Sequence, residues 1–471
     1  MNKMKNLLNF AEQFLGQKAE IKPLAGAGSN RKYFRVFCGE STYVGVIGEN
    51  VDENEAFIYL AEHLGRIGKR VPKVLAVSDD RLMYLQTDLG DISLFDLLVK
   101  NDPTTEKVIL QVVEDLAKIE VEGVKDVDPC RFFGIQRMDK RSVLWDLNYF
   151  KYSFLKCADI SVDESLLEDA FDNMADYLCS LDGSYLLYRD FQSRNMMINN
   201  DYPYYIDFQG ARLGPLGYDI VSFLYQAKAN FSPELKQRYL ALYYEALKKY
   251  GVNTDKVAES INTFILFRTL QVLGAYGFRG FFEKKAHFLQ SIAPALKNLG
   301  EIVEHDFPFE CEYLKRVCRE LASRITKYEC DLKESKLTVT VSSFSFLKGG
   351  VPTDFSGNGG GFAFDCRAIY NPGREEALKT LTGMDREVSE LLDANADMQD
   401  YLVHAFALVD KSVKKFLERD FSHLMVGFGC SGGQHRSVYS AERCAKHLKA
   451  KFPQVRVVIN HREQNVKKIF E

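Results

Sequence analysis

Residues 184–213 read SYLLYRDFQSRNMMINNDYPYYIDFQGARL. Apolar, aromatic-rich strand candidates alternate here with polar loops, and Asp201-Tyr202-Pro203 marks a hairpin turn between two of them. Asp190 and Asn195 are separated by four residues, and Ile206-Asp207-Phe208 follows a strand twelve residues beyond Asn195. An isolated D-x-x-x-x-N is common in solvated loops. Its combination with a hairpin and an apolar-flanked aspartate at this distance is not.

Moving a phosphoryl group requires a base for the attacking hydroxyl and hard oxygen ligands for the magnesium of a triphosphate. The spacing assigns Asp190 as the base and Asn195 and Asp207 as the metal ligands. It follows the H-R-D-x-x-x-x-N loop and D-F-G aspartate of protein kinases, with Tyr188 replacing the histidine. A carboxylate and an amide, completed by water and phosphate, suit Mg2+. ATP and Mg2+ are the expected cofactors.

Upstream, residues 19–48 read as strand, Gly-rich turn, strand, strand, and residues 53–68 as a helix burying Ala56, Tyr59, Leu60, His63 and Leu64. Gly26, Gly28 and Ser29 occupy the turn, where glycine lets backbone approach phosphates. The third strand, Tyr43-Val44-Gly45-Val46-Ile47, lacks the lysine of V-A-I-K kinases. Arg35 is a candidate replacement, as are Lys32 and Arg31, and Glu55 is the expected anchor for that cation. Downstream, Asp219 opens a helix and is expected to brace the loop at Asp190. The polar groups of Phe267–Tyr276 read as core packing.

Over about residues 15–300 the chain resembles the aminoglycoside phosphotransferase and choline kinase superfamily. The closest likeness is to AmgK-type anomeric kinases of N-acetylmuramate and N-acetylglucosamine. It rests on Ser29–Arg35, Ile206-Asp207-Phe208-Gln209-Gly210-Ala211, Gly214–Asp219 and Leu270–Tyr276. The resemblance implies an α+β protein-kinase-like bilobal fold over residues 1–330, with an N-lobe of about 15–88 and a helical C-lobe of about 89–330. It also implies transfer from ATP to the C1 hydroxyl of an amino sugar, a step in cell-wall recycling. Choline or an aminoglycoside is the alternative acceptor.

The polar stretch 330–336 marks a boundary, after which residues 337–471 read as a separate α/β domain. A Gly-rich loop at 356–361 and helices near 375–418 precede the strand His423–Cys430. Ser431-Gly432-Gly433-Gln434-His435-Arg436-Ser437 then leads into a helix, an arrangement suited to binding a phosphate. Arg436 and His435 are expected to reinforce it. Cys430 and Arg436 also fit the C-x5-R loop of cysteine phosphatases.

Residues 337–465 resemble the C-terminal domain of the RNase adapter RapZ, through Phe364–Arg367, Asn371-Pro372, Leu381–Asp385 and Gly429–Val438. The resemblance implies a domain that senses an amino-sugar phosphate and contacts RNA. It places Cys430, Ser431, Gly432, Gly433, His435 and Arg436 at the ligand loop. The N-terminal nucleotide-binding domain of RapZ is absent from this chain. A non-catalytic RNase or RNA adapter is therefore an alternative to an enzyme.

Bulk properties set outer limits. Over 471 residues, 46% are hydrophobic and 27% charged, which excludes extensive disorder. A net charge of −4 supplies no global basic field for nucleic acid. The ten cysteines form no C-x-x-C pair, so reduced thiols and a cytoplasmic address are expected, with no membrane partner.

Overall fold

The computed structural model describes residues 2–24, 31–158, 160–283, 285–305, 307–308, 311–328, 337–354, 360–419 and 421–470. The chain divides into two compact units. The first comprises Met1–Tyr152, Val162–Gly274 and Pro294–Ser323, the second Ser153–Ser161, Ala275–Ala293 and Arg324–Glu471. The boundary expected at 330–336 lies outside the described residues. Helical periodicity does not announce that 153–161 and 275–293 group with the second unit.

The first unit opens with α1 (Asn2–Leu15), β1 (Glu20–Pro23), β2 (Lys32–Cys38), β3 (Ser41–Ile47), α2 (Val51–Arg66), β4 (Val74–Val77) and β5 (Met83–Thr87). The five strands form an antiparallel sheet in the order β1-β2-β3-β5-β4. Strand β2 shows why: Phe34, Val36 and Cys38 alternate inward while the intervening residues face outward. Leu7 and Ala11 of α1 share a core with Ile21, Phe34, Val36, Ile47 and Leu85. A Cβ at Gly45 would lie 3.0 Å from Leu7, so glycine admits the helix.

Helix α2 is started by Asn50, whose side chain accepts from the Glu53 N–H, and buries the five residues its periodicity selects. Helices dominate the remainder: α3 (Leu94–Lys100), α4 (Thr105–Glu122), α5 (Lys140–Phe150) and α6 (Glu164–Ser180). Four short strands follow: β6 (Tyr185–Leu187), β7 (Met196–Asn199), β8 (Tyr202–Tyr205) and β9 (Arg212–Gly214). They form two antiparallel pairs, β6 with β9 and β7 with β8. The β7–β8 turn is made by Asn200 and Asp201, at φ 51° and 62°, the twist a tight hairpin requires. Then come α7 (Tyr218–Leu224), α8 (Pro233–Lys248), α9 (Thr254–Gly277), α11 (Ile292–His305) and α12 (Glu312–Ser323), while α10 (Ala286–Leu289), between α9 and α11, falls in the second unit. A small sheet lobe followed by a helical lobe is the α+β bilobal order expected from the sequence.

The second unit contains β10 (Thr338–Ser345), β11 (Gly361–Asp365), α13 (Arg386–Asp393), α14 (Ala396–Glu418), β12 (His423–Cys430), α15 (Arg436–Lys451), β13 (Arg456–His461) and β14 (Val466–Ile469). Its sheet runs β11-β12-β10-β13-β14, parallel except for β14. Strand β10, paired on both sides, is buried along nearly its whole length. The helix expected from about 375 begins at Arg386, because 366–378 form short 3-10 turns around Pro372 and Gly373. Among the described residues no helix is long and apolar enough to cross a membrane.

Candidate active site

The β6–β9 and β7–β8 pairs bracket the loop that carries Asp190, and its shape is fixed from beneath by Asp219. That carboxylate is 1% exposed and accepts the backbone N–H of Tyr188 at 2.6 Å and of Arg189 at 2.7 Å. Burial pushes its pKa up to about 7 despite these two bonds. Arg189 sits at φ 77°, a left-handed conformation that a non-glycine side chain adopts only under external restraint. The brace expected at Asp219 is therefore present, and it acts on the residue next to Asp190.

Tyr188 stands where protein kinases carry histidine and donates its hydroxyl to the Ile206 carbonyl at 2.6 Å, tying the loop to the residue before Asp207. Asn195 Nδ2 donates to the Asp190 carbonyl at 2.8 Å and to Asp207 Oδ2 at 3.4 Å. With its amide nitrogen so used, Asn195 Oδ1 remains as an oxygen donor. Asp207 Oδ1 accepts from Gln209 Nε2 at 2.9 Å. Burial, then the charge of Asp190, pushes the Asp207 pKa up. Asp190, Asn195 and Asp207 thus come together as a concentration of negative charge and oxygen donors.

Arg31 is a cation facing this group. Its guanidinium is buried, with Nη2 3.6 Å from Asp207 Oδ1 and Nε 3.3 Å from Glu53 Oε1. Arg35 and Glu55 are engaged elsewhere. Arg35 pairs with Asp88 at 2.6 Å and Asp91 at 2.8 Å, and Glu55 with Arg81 at 2.8 Å. Gly26, Gly28 and Ser29 lie outside the described residues.

A second polar cluster adjoins the loop, and the sequence reading missed it. Arg189 Nη2 lies 3.6 Å from Asp146 Oδ1, and Asp146 also accepts from Gln271. Arg268 donates to the Tyr218 hydroxyl at 3.0 Å, to Ser222 at 2.8 Å and to Gln271. Arg268 and Gln271, polar residues of the 267–276 segment expected as core packing, are indeed buried, yet they serve this network next to Asp190. Their type was the available signal, because Arg and Gln rarely enter an apolar helix without partners. A further cavity of about 220 Å³ is lined by Gln226, Asn230, Lys236, Asn298 and Glu301. Gln226 accepts from the Ser193 hydroxyl at 2.7 Å, joining that cavity to the same loop.

In the second unit, Cys430 ends β12 at the edge of the Ser431–His435 turn. Its Sγ lies 3.1 Å from Ser437 Oγ. Gly433 has φ 69°, and a Cβ there would meet Glu463 at 2.4 Å. Ser345, ending β10, donates to the Ser431 carbonyl at 2.5 Å. The turn therefore lies where neighbouring parallel strands end, the usual ligand position in such sheets. The expected roles of two side chains meet a different geometry. Arg436 Nη1 donates to the carbonyls of Arg367 at 3.0 Å and Ile369 at 2.8 Å, and His435 Nε2 lies 2.9 Å from the Leu378 carbonyl oxygen. Both brace the 366–378 turns. Arg436 Nε is buried without a hydrogen-bond partner among the described residues.

Two stretches of the chain match family models. Residues 20–251 match the phosphotransferase enzyme family and residues 337–465 match the RapZ C-terminal domain. A nucleotide-binding protein of Xanthomonas axonopodis pv. citri is 38% identical over 131 residues, 28% of this chain and 44% of that protein. One from Methylococcus capsulatus is 39% identical over 127 residues, 27% of this chain and 40% of that protein. The chain spans less than half the length of these relatives. Among solved structures, choline kinase LicA from Streptococcus pneumoniae aligns at 14% identity and TM-score 0.46, covering 64% of this chain and all of that one (100%). Amicoumacin kinase hAmiN, solved with AMP-PNP and Ca2+, aligns at 13% and 0.44, covering 65% and 87%. The chain joins a region matching the phosphotransferase enzyme family, where Asp190, Asn195 and Asp207 meet, to a region matching the RapZ C-terminal domain.

Proposed function

We propose that residues 1–330 transfer the γ-phosphoryl group of ATP to a hydroxyl of an amino sugar, at the anomeric position of N-acetylmuramate or N-acetylglucosamine. The convergence of Asp190, Asn195, Asp207 and Arg31 carries this reading. Asp190 accepts the proton of the attacking hydroxyl. Asn195 Oδ1 and the Asp207 carboxylate are hard donors that fit Mg2+, and the charge crowding of Asp207 against Asp190 is the condition such a cation relieves. When bound, the ion neutralises charge on the triphosphate. Arg31, held by Glu53, serves in place of the strand lysine, and its planar fork suits phosphate oxygens.

Residues 337–471 bind an amino-sugar phosphate at the Ser431–His435 turn and regulate the kinase in response to it. Support comes from the RapZ match and from backbone N–H groups at the start of α15. Arg436 and His435 shape this turn through the 366–378 segment.

The test offers ATP and Mg2+ with N-acetylmuramate, N-acetylglucosamine, choline or kanamycin to wild type and Asp190→Ala. Phosphorylation of the two N-acetyl sugars by wild type alone is expected. Turnover only with choline or kanamycin rejects the amino-sugar assignment, and turnover with nothing favours a non-catalytic adapter.

A further inference from the structure

We infer that Arg189 and Arg212 form a subsite beside Asp190 for a carboxylate carried by the phosphoryl acceptor. The inference rests on the function proposed above and specifies the charge of the substrate. Arg212 is 7% exposed, and among the described residues its guanidinium has no hydrogen-bond or ion-pair partner. Its Nε is buried and unsatisfied. The residue cannot swing out cheaply, because its backbone is paired on β9 opposite Leu187 of β6, three residues before Asp190.

Burying a lone cation costs several kcal/mol, so an unpaired interior arginine calls for a compensating anion. Among the described residues Asp146 is the one carboxylate in ion-pair range of the cluster, and it already faces Arg189 and Gln271. Asp190 and Asp219 act on Arg189, Arg212 and Arg268 from farther away, and neither pairs with Arg212. Burial, reinforced by the charge of Arg189, lowers the Arg212 pKa to about 10, which leaves the guanidinium charged at neutral pH.

The space is small and specific. A cavity of about 20 Å³ is lined by Arg189, Arg212, Asp146, Tyr218, Met138 and Phe267, and the side chains of Arg189 and Asp146 are 31% and 23% exposed. That volume holds about one oxygen atom. A carboxylate can insert one oxygen between the two guanidiniums while the rest of its molecule stays outside, where the neighbouring Asp190 meets its hydroxyl. A quaternary ammonium or a polyamine would meet like charge at the same place. The subsite therefore favours a carboxylated sugar over a neutral one and disfavours cationic acceptors.

The experiment compares N-acetylmuramate with N-acetylglucosamine, which share a ring and differ in a lactyl carboxylate. Trp145 is the single tryptophan of the chain and adjoins Asp146, so its fluorescence reports binding without catalysis. Wild type is expected to bind N-acetylmuramate at least about tenfold more tightly, the effect of one charge-assisted contact. The ratio of kcat/KM values should show the same preference. In Arg212→Met both ratios should fall to near one, and Arg212→Lys should restore part of each.

The free Arg212→Met protein should melt no lower than wild type, since a lone buried charge has been removed. Equal wild-type affinities, a preference that survives Arg212→Met, or a large fall in its melting temperature would each overturn the inference. Carboxylate-selective binding without turnover of either sugar would instead retain the subsite and reject the proposed kinase activity.

Discussion

Replacing Asp219 by asparagine tests how the Asp190 loop is held. The carboxylate accepts two backbone N–H groups at 2.6 and 2.7 Å in a fully buried setting. Asparagine offers one acceptor oxygen and one NH2, so one N–H loses its acceptor and faces another donor. An unsatisfied buried N–H costs about 1–3 kcal/mol. The left-handed backbone of Arg189, which stores about 1–3 kcal/mol of strain, loses its restraint. At pH 5 the carboxyl is protonated in the folded protein, so no buried charge is removed, and the net loss is roughly 2 kcal/mol. Displacement of Asp190 by about 1 Å should cost on the order of 100-fold in kcat.

The pH dependence adds a sign. The folded pKa of about 7 lies above the model value of 3.8, so between these values the native state holds one more proton than the unfolded chain. The contribution of Asp219 is full below pH 4 and is lost as pH rises through 7. The stability gap between wild type and Asp219→Asn should therefore narrow from pH 5 to pH 7.5, by roughly 2 kcal/mol. Urea unfolding at three pH values and kcat at each provide the assay. A variant with wild-type kcat, or a gap that widens with pH, refutes the brace.

Arg31→Met should raise the KM for ATP at least about tenfold, because it removes a charged donor facing Asp207, while Arg35→Met should change it less. Steady-state kinetics decide, and the reverse order would return Arg35 to the nucleotide site. Arg436→Met should destabilise the second unit by about 2–4 kcal/mol through two orphaned carbonyls, measured by urea unfolding of the full chain. Wild-type stability together with lost binding of glucosamine 6-phosphate would instead make Arg436 a ligand contact.

The Asp190 constellation was legible in sequence because its parts lie within eighteen residues and their spacing is set by one hairpin. The cation beside Asp207 was only half legible. Arg31 was among three candidates, and Glu53 was passed over for Glu55, because each stands three or four residues before a buried position of α2 and helical phase does not separate them. Arg212 and Asp146 were invisible for a different reason. They lie 66 residues apart, and only the β6–β9 pairing and the placement of α5 bring them to Arg189. At the second site, Gly433 and the strand-to-helix turn were readable from local pattern. The engagement of Arg436 was not, since its carbonyl partners sit 67 and 69 residues upstream, before the helices expected near 375–418.

The most direct measurement of the central claim is 31P NMR of the products formed from ATP, Mg2+ and N-acetylmuramate. A sugar 1-phosphate resonance is expected with wild type and none with Asp190→Ala, provided both melt at the same temperature. An ester formed by Asp190→Ala at the wild-type rate would contradict the assignment of Asp190 as the base.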